Sequence, residues 1–324
     1  MLTRKVRWGV LGAANIALKK VIPAMQRSRF CEVAGLATRG GNESALQGVG
    51  TVYDDYDALL RDASIEAIYN PLPNHLHLPW TIRAAEAGKH VLCEKPIGMH
   101  AGEVRQLIEA RDRYGVRIAE AFMTKLHPQW LRSRQLVRSG AIGELKALHT
   151  VFSYFNRQPA NIRNRLEFGG GALMDIGCYA VTMSRFLFGA EPRRVAAQIE
   201  RDPEFHIDRL TSGMLEFPGG HAVFTCSTQM APYQVVQIFG TTGRLEIEIP
   251  FNAPPDRPTR LFVNGTPEEF ATCDQYTLQA DHFARAIRGE EELAVPLEDS
   301  LANMQAIDAL FRSAESGASV SLSE

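Results

Sequence analysis

The chain has 324 residues, 45% hydrophobic and 22% charged, with a formal net charge of −2. That length accommodates two domains, each with a core of its own. The near balance of charge excludes a broad basic field for nucleic acid or an anionic membrane surface. No apolar run approaches the roughly 20 residues a membrane helix needs. The opening MLTRKVRWGVLGAANIA has too short and interrupted an apolar stretch for a signal peptide. The five cysteines (Cys31, Cys93, Cys178, Cys226 and Cys273) contain no CxxC pair. Their odd number reads as reduced thiols in a cytoplasmic protein, with neither a disulfide framework nor a metal site.

In chain order, VRWGVL (6–11) reads as a strand, GAANIA as a turn, and IALKKVIPAMQRS as an amphipathic helix. CEVAGLAT (31–38) is a second strand and YDALLRD a helix. EAIYNPLP, from Glu66 to Pro73, is a strand entering a proline-rich loop, and PWTIRAAEAGK is a helix ending near Gly88. HVLCEKP is the next strand, AGEVRQLIEARDRYG a helix closed by Gly115, and VRIAEAFM a further strand. Strands alternating with helices in this way predict an α/β domain with a parallel sheet over residues 1–124.

A dinucleotide turn of the form GxGxxG/A would place Gly12, Ala14 and Ala17 at its three positions. Only the first is glycine, but the context of strand before and helix after is the required one. The turn residues Gly12, Ala13, Ala14, Asn15 and Ile16 are therefore candidate cofactor contacts. At the end of the second strand, NAD sites usually carry an acid for the ribose 2′-hydroxyl. Here stand Thr38 and Arg39, which suit a 2′-phosphate, since guanidinium binds phosphate oxygens as a charged fork. This favours NADP, with NAD possible; the alternative is that Arg39 is a solvated surface residue. The loop NPLPNHLHLPW (70–80) falls where strand order should reverse, near the ligand crevice of such sheets. Pro71, Leu72, Asn74 and His77 are candidates there. The HxH pair has no third donor beside it and is a poor metal signal, so His77 is expected to cap or line the loop.

CEKP ends a parallel strand at the same edge. Pro96 restricts the backbone of Lys95 and gives that lysine a defined direction. Glu94 either pairs with it or contacts the cofactor ribose. AGKHVLCEKP, together with GAANIA, AEAFMTKLHPQW and GGGALMDIGCY, resembles the Gfo/Idh/MocA oxidoreductases over nearly the whole chain. The branch it is most similar to holds NADP-dependent D-xylose dehydrogenases, dimeric dihydrodiol dehydrogenases and sugar 3-ketoreductases. The resemblance implies that Lys95 lies beside the nicotinamide and assists catalysis. It also implies that Tyr179, where many members have histidine, is the proton donor or acceptor, and that Asp175 orients substrate or lysine. Asp175 and Tyr179 are four apart in GGGALMDIGCYAVTMSRFLFG (169–189), on one face of an ordinary helix. Chemically the set is coherent. Oxidising an alcohol needs a base at the hydroxyl proton, and a nearby ammonium favours the phenolate of a tyrosine, whose ordinary pKa is about 10. Whether Tyr179 or Lys95 transfers the proton stays open at this point.

From Lys125 the pattern changes. Alternating runs joined by PGG, TTG and NG turns read as antiparallel strands. They predict an α+β domain over 125–324 with an open, mostly antiparallel sheet. The resemblance implies that a second subunit covers such a sheet, giving a homodimer or homotetramer. The last helix buries a stripe of Leu301, Met304, Ile307, Leu310 and Phe311. In NIRNR (161–165), Arg163 or Arg165 holds substrate or a phosphate, or else forms a loop salt bridge. Phe152, Tyr154 and Phe155 line a sugar pocket or belong to the core. The expected activity is hydride transfer between nicotinamide and a secondary alcohol or carbonyl of a sugar, polyol or cyclic diol. The alternatives are a nucleotide-binding sensor without turnover, and a lyase or hydrolase with recycled NAD.

Overall fold

The computed structural model describes residues 4–38 and 48–322. They form two compact units: Met1–Met123 with Asp274–Leu301, and Thr124–Cys273 with Ala302–Glu324.

The first unit holds six parallel strands: β1 (Val6–Leu11), β2 (Cys31–Ala37), β3 (Thr51–Tyr53), β4 (Ala67–Asn70), β5 (His90–Cys93) and β6 (Ile118–Glu120). Their spatial order is β3-β2-β1-β4-β5-β6. The order reverses between β1 and β4, so the loops leaving these two strands face the crevice where ligands of open α/β sheets bind. Apart from the exposed edge strand β3, the strands are short and almost wholly buried, as parallel strands covered on both faces must be. Between them run α1 (Ile22–Arg27), α2 (Tyr56–Arg61), α3 (His77–Glu86) and α4 (Ala101–Tyr114). α4 ends on Gly115 at φ +64°, a left-handed cap that glycine takes without steric cost.

The segment ahead of α1 differs from the regular helix its periodicity suggests. Ala17–Val21 is a π-helical turn, in which Ile22 N–H donates to the Ala17 carbonyl five residues back. Pro23, at the start of α1, has no N–H to offer the Lys19 carbonyl, and the widened turn absorbs the gap. Likewise VRIAEAFM is a strand only over Ile118–Glu120.

In the second unit, α5 (Pro128–Arg138) and β7 (Leu145–Phe155) are followed by α6 (Cys178–Phe188). Then come β8 (Arg194–Arg201), β9 (Asp208–Phe217), β10 (Gly220–Ser227), β11 (Gln229–Gly240), β12 (Arg244–Ile247), β13 (Thr259–Val263) and β14 (Thr266–Phe270). The nine-stranded order is β14-β13-β12-β11-β7-β10-β9-β8-β15, with β15 at Val320–Ser321. All pairs are antiparallel except β7 with β10.

After β14 the chain returns to the first unit. α7 (Gln275–Ile287) packs Phe283 against Trp8 of β1 with ring centroids 5.5 Å apart. Ala280 and Ala284 join the same buried cluster. The final helix, α8 (Leu297–Ser316), buries Met304, Ile307 and Leu310.

Candidate active site

In the first unit, three loops at the carboxyl ends of β1, β4 and β5 are fastened to one another. Gly12 follows β1 with φ +84°, and its N–H donates to the Ala37 carbonyl at 2.7 Å. A Cβ there would stand 3.1 Å from Leu72 Cδ2, so glycine is required both by its dihedral and by the closeness of the β4 loop. Beyond it the Ala14 carbonyl accepts from Leu18 N–H at 3.0 Å. Asn15 is exposed, and Ile16 packs against the core.

The β4 loop is organised from beneath by Asn70. Its side-chain amide donates to the His77 carbonyl and to Thr81 Oγ1, and its Oδ1 accepts from Leu72 N–H at 3.3 Å. Pro71 and Leu72 are buried, and Asn74 begins a short 3-10 turn, Asn74–Leu76. His77 is buried under the loop. Its Nε2 lies 2.6 Å from the Leu72 carbonyl and its Nδ1 2.7 Å from the Pro96 carbonyl. The imidazole sits between the β4 and β5 loops, and in its neutral form its one N–H donates to one of these two carbonyls. Burial lowers its pKa to about 4, with the Lys95 charge adding to the effect.

Lys95 follows β5, and the Lys95–Pro96 peptide is cis. On one side Glu94 accepts from the Tyr69 hydroxyl at 2.5 Å. Burial first and the Glu94 charge second push the Tyr69 phenol well above its usual range. On the other side Ile97 N–H donates to Glu120 Oε1 at 2.9 Å. Met99 N–H donates to Glu103 Oε2 at 2.7 Å. The backbone either side of Lys95 is therefore pinned to Asn70, His77 and Glu120, and each pin comes from a neighbouring strand or its loop. Thr38 N–H donates to the Tyr53 carbonyl at the end of β2. Arg39 lies outside the described residues.

In the second unit, Leu173–Gly177 is again a π turn, closed by Cys178 N–H on the Leu173 carbonyl, and it runs directly into α6. Asp175 and Tyr179 therefore stand on a wider turn than the regular helix assumed from their spacing. Asp175 Oδ2 accepts from the Tyr154 hydroxyl at 2.6 Å and from Arg163 Nε at 2.9 Å. Burial, followed by the Asp175 charge, drives the Tyr154 phenol well above its usual range, so this tyrosine stays a protonated donor. Tyr179 is 5% exposed. Its ring is caged by Phe251 at 5.3 Å and Phe152 at 6.0 Å. Phe251 is stacked in turn between Phe152 and Trp130. Phe152 thus belongs to the core. Phe155 is 64% exposed at the end of β7. Arg163 sits on Asp175, whereas Arg165 pairs with Glu167 and lies over the Phe168 ring.

Four residues that hold these side chains escape a reading of motifs: Asn70, Glu120, Tyr69 and Trp130. Glu120 carried a signal, since an acid inside the apolar run VRIAEAFM has to find donors.

A parallel sheet of this order, with a positive-φ glycine closing its first strand against the switch-point loop, defines a dinucleotide-binding protein. The chain belongs to the Gfo/Idh/MocA family. Residues 6–122 match the model described as the oxidoreductase family with an NAD-binding Rossmann fold, and residues 130–246 match the GFO/IDH/MocA C-terminal domain. It is 46% identical to the oxidoreductase ORF334 of Rhizobium meliloti, across 96% of this chain and 98% of that one. It is 39% identical to D-xylose 1-dehydrogenase (NADP(+)) 2 of Haloferax volcanii, across 97% of this chain and 99% of that one. Among solved structures it superimposes with a TM-score of 0.89 on KijD10, a 3-ketoreductase from Actinomadura kijaniata in complex with NADP and TDP-benzene. That match has 29% identity and covers 96% of this chain and 98% of that one. The protein is an oxidoreductase.

Proposed function

We propose that the protein is an NADP-dependent dehydrogenase or reductase of a sugar, polyol or cyclic diol, with Lys95, Tyr179 and Asp175 as its acting side chains. The observation that carries this reading is the succession Gly12, Leu72, His77, Pro96. It ties the dinucleotide turn to the loop bearing Lys95 within one rigid edge of the sheet.

The turn residues fit a dinucleotide. Gly12 leaves a cradle that a Cβ would fill, and the backbone of Ala13, Ala14, Asn15 and Ile16 follows it into the helix start, where a pyrophosphate is favoured. Pro71, Leu72, Asn74, His77, Glu94 and Lys95 then border the path toward the nicotinamide, His77 acting by holding the loop. Three observations support NADP. Arg39 and Thr38 stand where NAD sites carry an acid; the xylose dehydrogenase has NADP(+) in its name; and the ketoreductase structure contains NADP.

When bound, NADP(H) would supply the hydride acceptor or donor for the substrate carbon. When an alcohol is oxidised, its O–H bond breaks and the proton passes to Tyr179. In the opposite direction Tyr179 returns that proton to the carbonyl oxygen, and Lys95 stabilises the negative charge building there. The caged ring gives Tyr179 one orientation. Tyr154 and Arg163 keep Asp175 in place to accept from a second hydroxyl, which suits a polyhydroxylated substrate. Arg163 and Phe155 are assigned to the substrate side.

The open face of the nine-stranded sheet carries an apolar groove lined by His149, Val151, Ala197, Met214, Val223 and Phe224. It supports a homodimer or homotetramer. The five free thiols, four of them buried, support a cytoplasmic location.

The test is NADP(H) consumption across aldoses, ketosugars and cyclic diols, with NAD(H) in parallel. Turnover with NADP(H) and a neutral carbohydrate-like substrate is expected. Cofactor that copurifies and is never consumed overturns the reading, and a clear preference for NAD overturns the role given to Arg39.

A further inference from the structure

Asp208, the first residue of β9, is 2% exposed and has no part in the chemistry above. Its Oδ2 accepts from Leu173 N–H at 2.6 Å and from the Thr211 hydroxyl at 3.0 Å. Leu173 opens the π turn that carries Asp175 and continues into α6 with Tyr179. Oδ1 lies against Gly171, where φ is +121° and a Cβ would stand 1.8 Å from it. Gly171 N–H donates to the Arg163 carbonyl at 3.0 Å, Gly170 N–H to the Arg165 carbonyl at 3.0 Å, and Asp175 N–H to the Gly171 carbonyl at 3.1 Å. One carboxylate therefore holds the glycine turn, which is bonded to the loop of Arg163, and the start of the helix of Asp175 and Tyr179.

A helix start is ordinarily satisfied by a solvated Ser, Thr, Asn or Asp. Here the acceptor is buried, and burial pushes its carboxyl up to about 6 against the pull of its own donors. A charge kept in a dry corner lowers stability at neutral pH, which points to placement of the helix as its role.

We propose that Asp208 is a positioning residue of the active site: by holding Leu173 N–H and the Gly171 turn, it sets where Asp175 and Tyr179 stand. The inference rests on the reading of Tyr179 as the side chain that transfers the proton. The charged and titratable groups around this corner are Arg201 on β8, the Cys226 thiol on β10, and Asp175 and Cys178 on the helix. Arg201 favours the carboxylate, and Asp208 is among the charges that hold Cys226 protonated.

The experiment compares Asp208→Asn and Asp208→Ala with the parent protein. Turnover is followed from pH 5 to 8, from about one unit below to about two units above the value of this carboxyl. Amide hydrogen exchange over Leu173–Tyr179 and NADPH binding are measured alongside. Asp208→Asn keeps the acceptor and loses the charge, so kcat falls about 3- to 10-fold at pH 8 and stays flat down to pH 5, while the parent loses about half its rate by pH 6 and approaches the variant below it. Asp208→Ala loses the acceptor, so kcat falls about 10- to 100-fold, as expected for small misplacement of a reacting group. KM and NADPH affinity stay within about threefold in both, since Asp208 touches neither ligand. Exchange over Leu173–Tyr179 quickens in Asp208→Ala. Parent-like kcat in Asp208→Ala, or an acid limb in Asp208→Asn identical to the parent's, overturns the proposal. If Asp208→Ala does not fold, the pH profile of Asp208→Asn decides. A parent protein that turns over no substrate refutes the functional reading instead, and exchange at Leu173–Tyr179 then still tests whether Asp208 places the helix.

Discussion

Tyr154→Phe removes one hydroxyl and leaves the ring. The lost contact is the 2.6 Å donation to Asp175 Oδ2, an oxygen that also receives Arg163 Nε at 2.9 Å. A hydrogen bond to a charged group contributes about 1.5–3 kcal/mol, which converts to about 10- to 150-fold in rate if it serves the transition state. The Tyr154 phenol cannot itself relay a proton near neutrality, because burial and the Asp175 charge hold it protonated. The loss therefore comes through Asp175. Steady-state kinetics should show kcat/KM down by that range, with NADPH binding unchanged. Pairing Tyr154→Phe with Arg163→Gln should cost a different amount from the sum of the two, because both donors serve one oxygen. Unchanged kcat/KM in Tyr154→Phe would refute the idea that this pair orients Asp175.

Gly12→Ala imposes a positive φ on alanine and a 3.1 Å contact with Leu72. It should cost about 1–2 kcal/mol of backbone strain and weaken NADPH binding more than it lowers the melting temperature, which isothermal titration and calorimetry can separate. Phe251→Ala opens the cage around Tyr179 and should destabilise the second unit by about 3–5 kcal/mol in denaturant unfolding, with kcat reduced. His77 is neutral in the fold with a pKa of about 4, whereas an unfolded chain protonates it near 6.5. The unfolded state binds more protons between these values, so its contribution is intact above pH 6.5 and is lost as pH falls to 4, about 3 kcal/mol in all. Urea midpoints measured from pH 7 to 4.5 should fall, and less steeply in His77→Asn.

The parallel sheet and the edge that carries the site were legible because short apolar runs alternate with period-3.6 segments from Val6 to Glu120, with turns at Gly12, Pro71 and Pro96, whereas the three-residue edge strand β3 is too short and exposed to register. Those signals are local. The return of α7 to the first unit is not local: it depends on Phe283 meeting Trp8 across most of the chain. The π turns at Ala17–Val21 and Leu173–Gly177 escape periodicity for another reason, since one widened turn barely disturbs an apolar stripe. Within the site, Lys95, Asp175 and Tyr179 stand in motifs with recognisable neighbours. Their supports are different. Glu120, Tyr154 and Asp208 act through hydrogen bonds to residues 23, 21 and 35 positions away, and no spacing rule encodes those. HxH at 75–77 shows how composition misleads: the second histidine is buried between two carbonyls.

The most direct test of the account is the rate of nicotinamide oxidation or reduction in Lys95→Met and Tyr179→Phe, set beside NADPH binding in the same proteins. The account predicts that kcat falls at least about 100-fold in each, the scale of a lost acid–base group, while NADPH still binds. Turnover at the parent rate in both variants, with the same substrate, would contradict it.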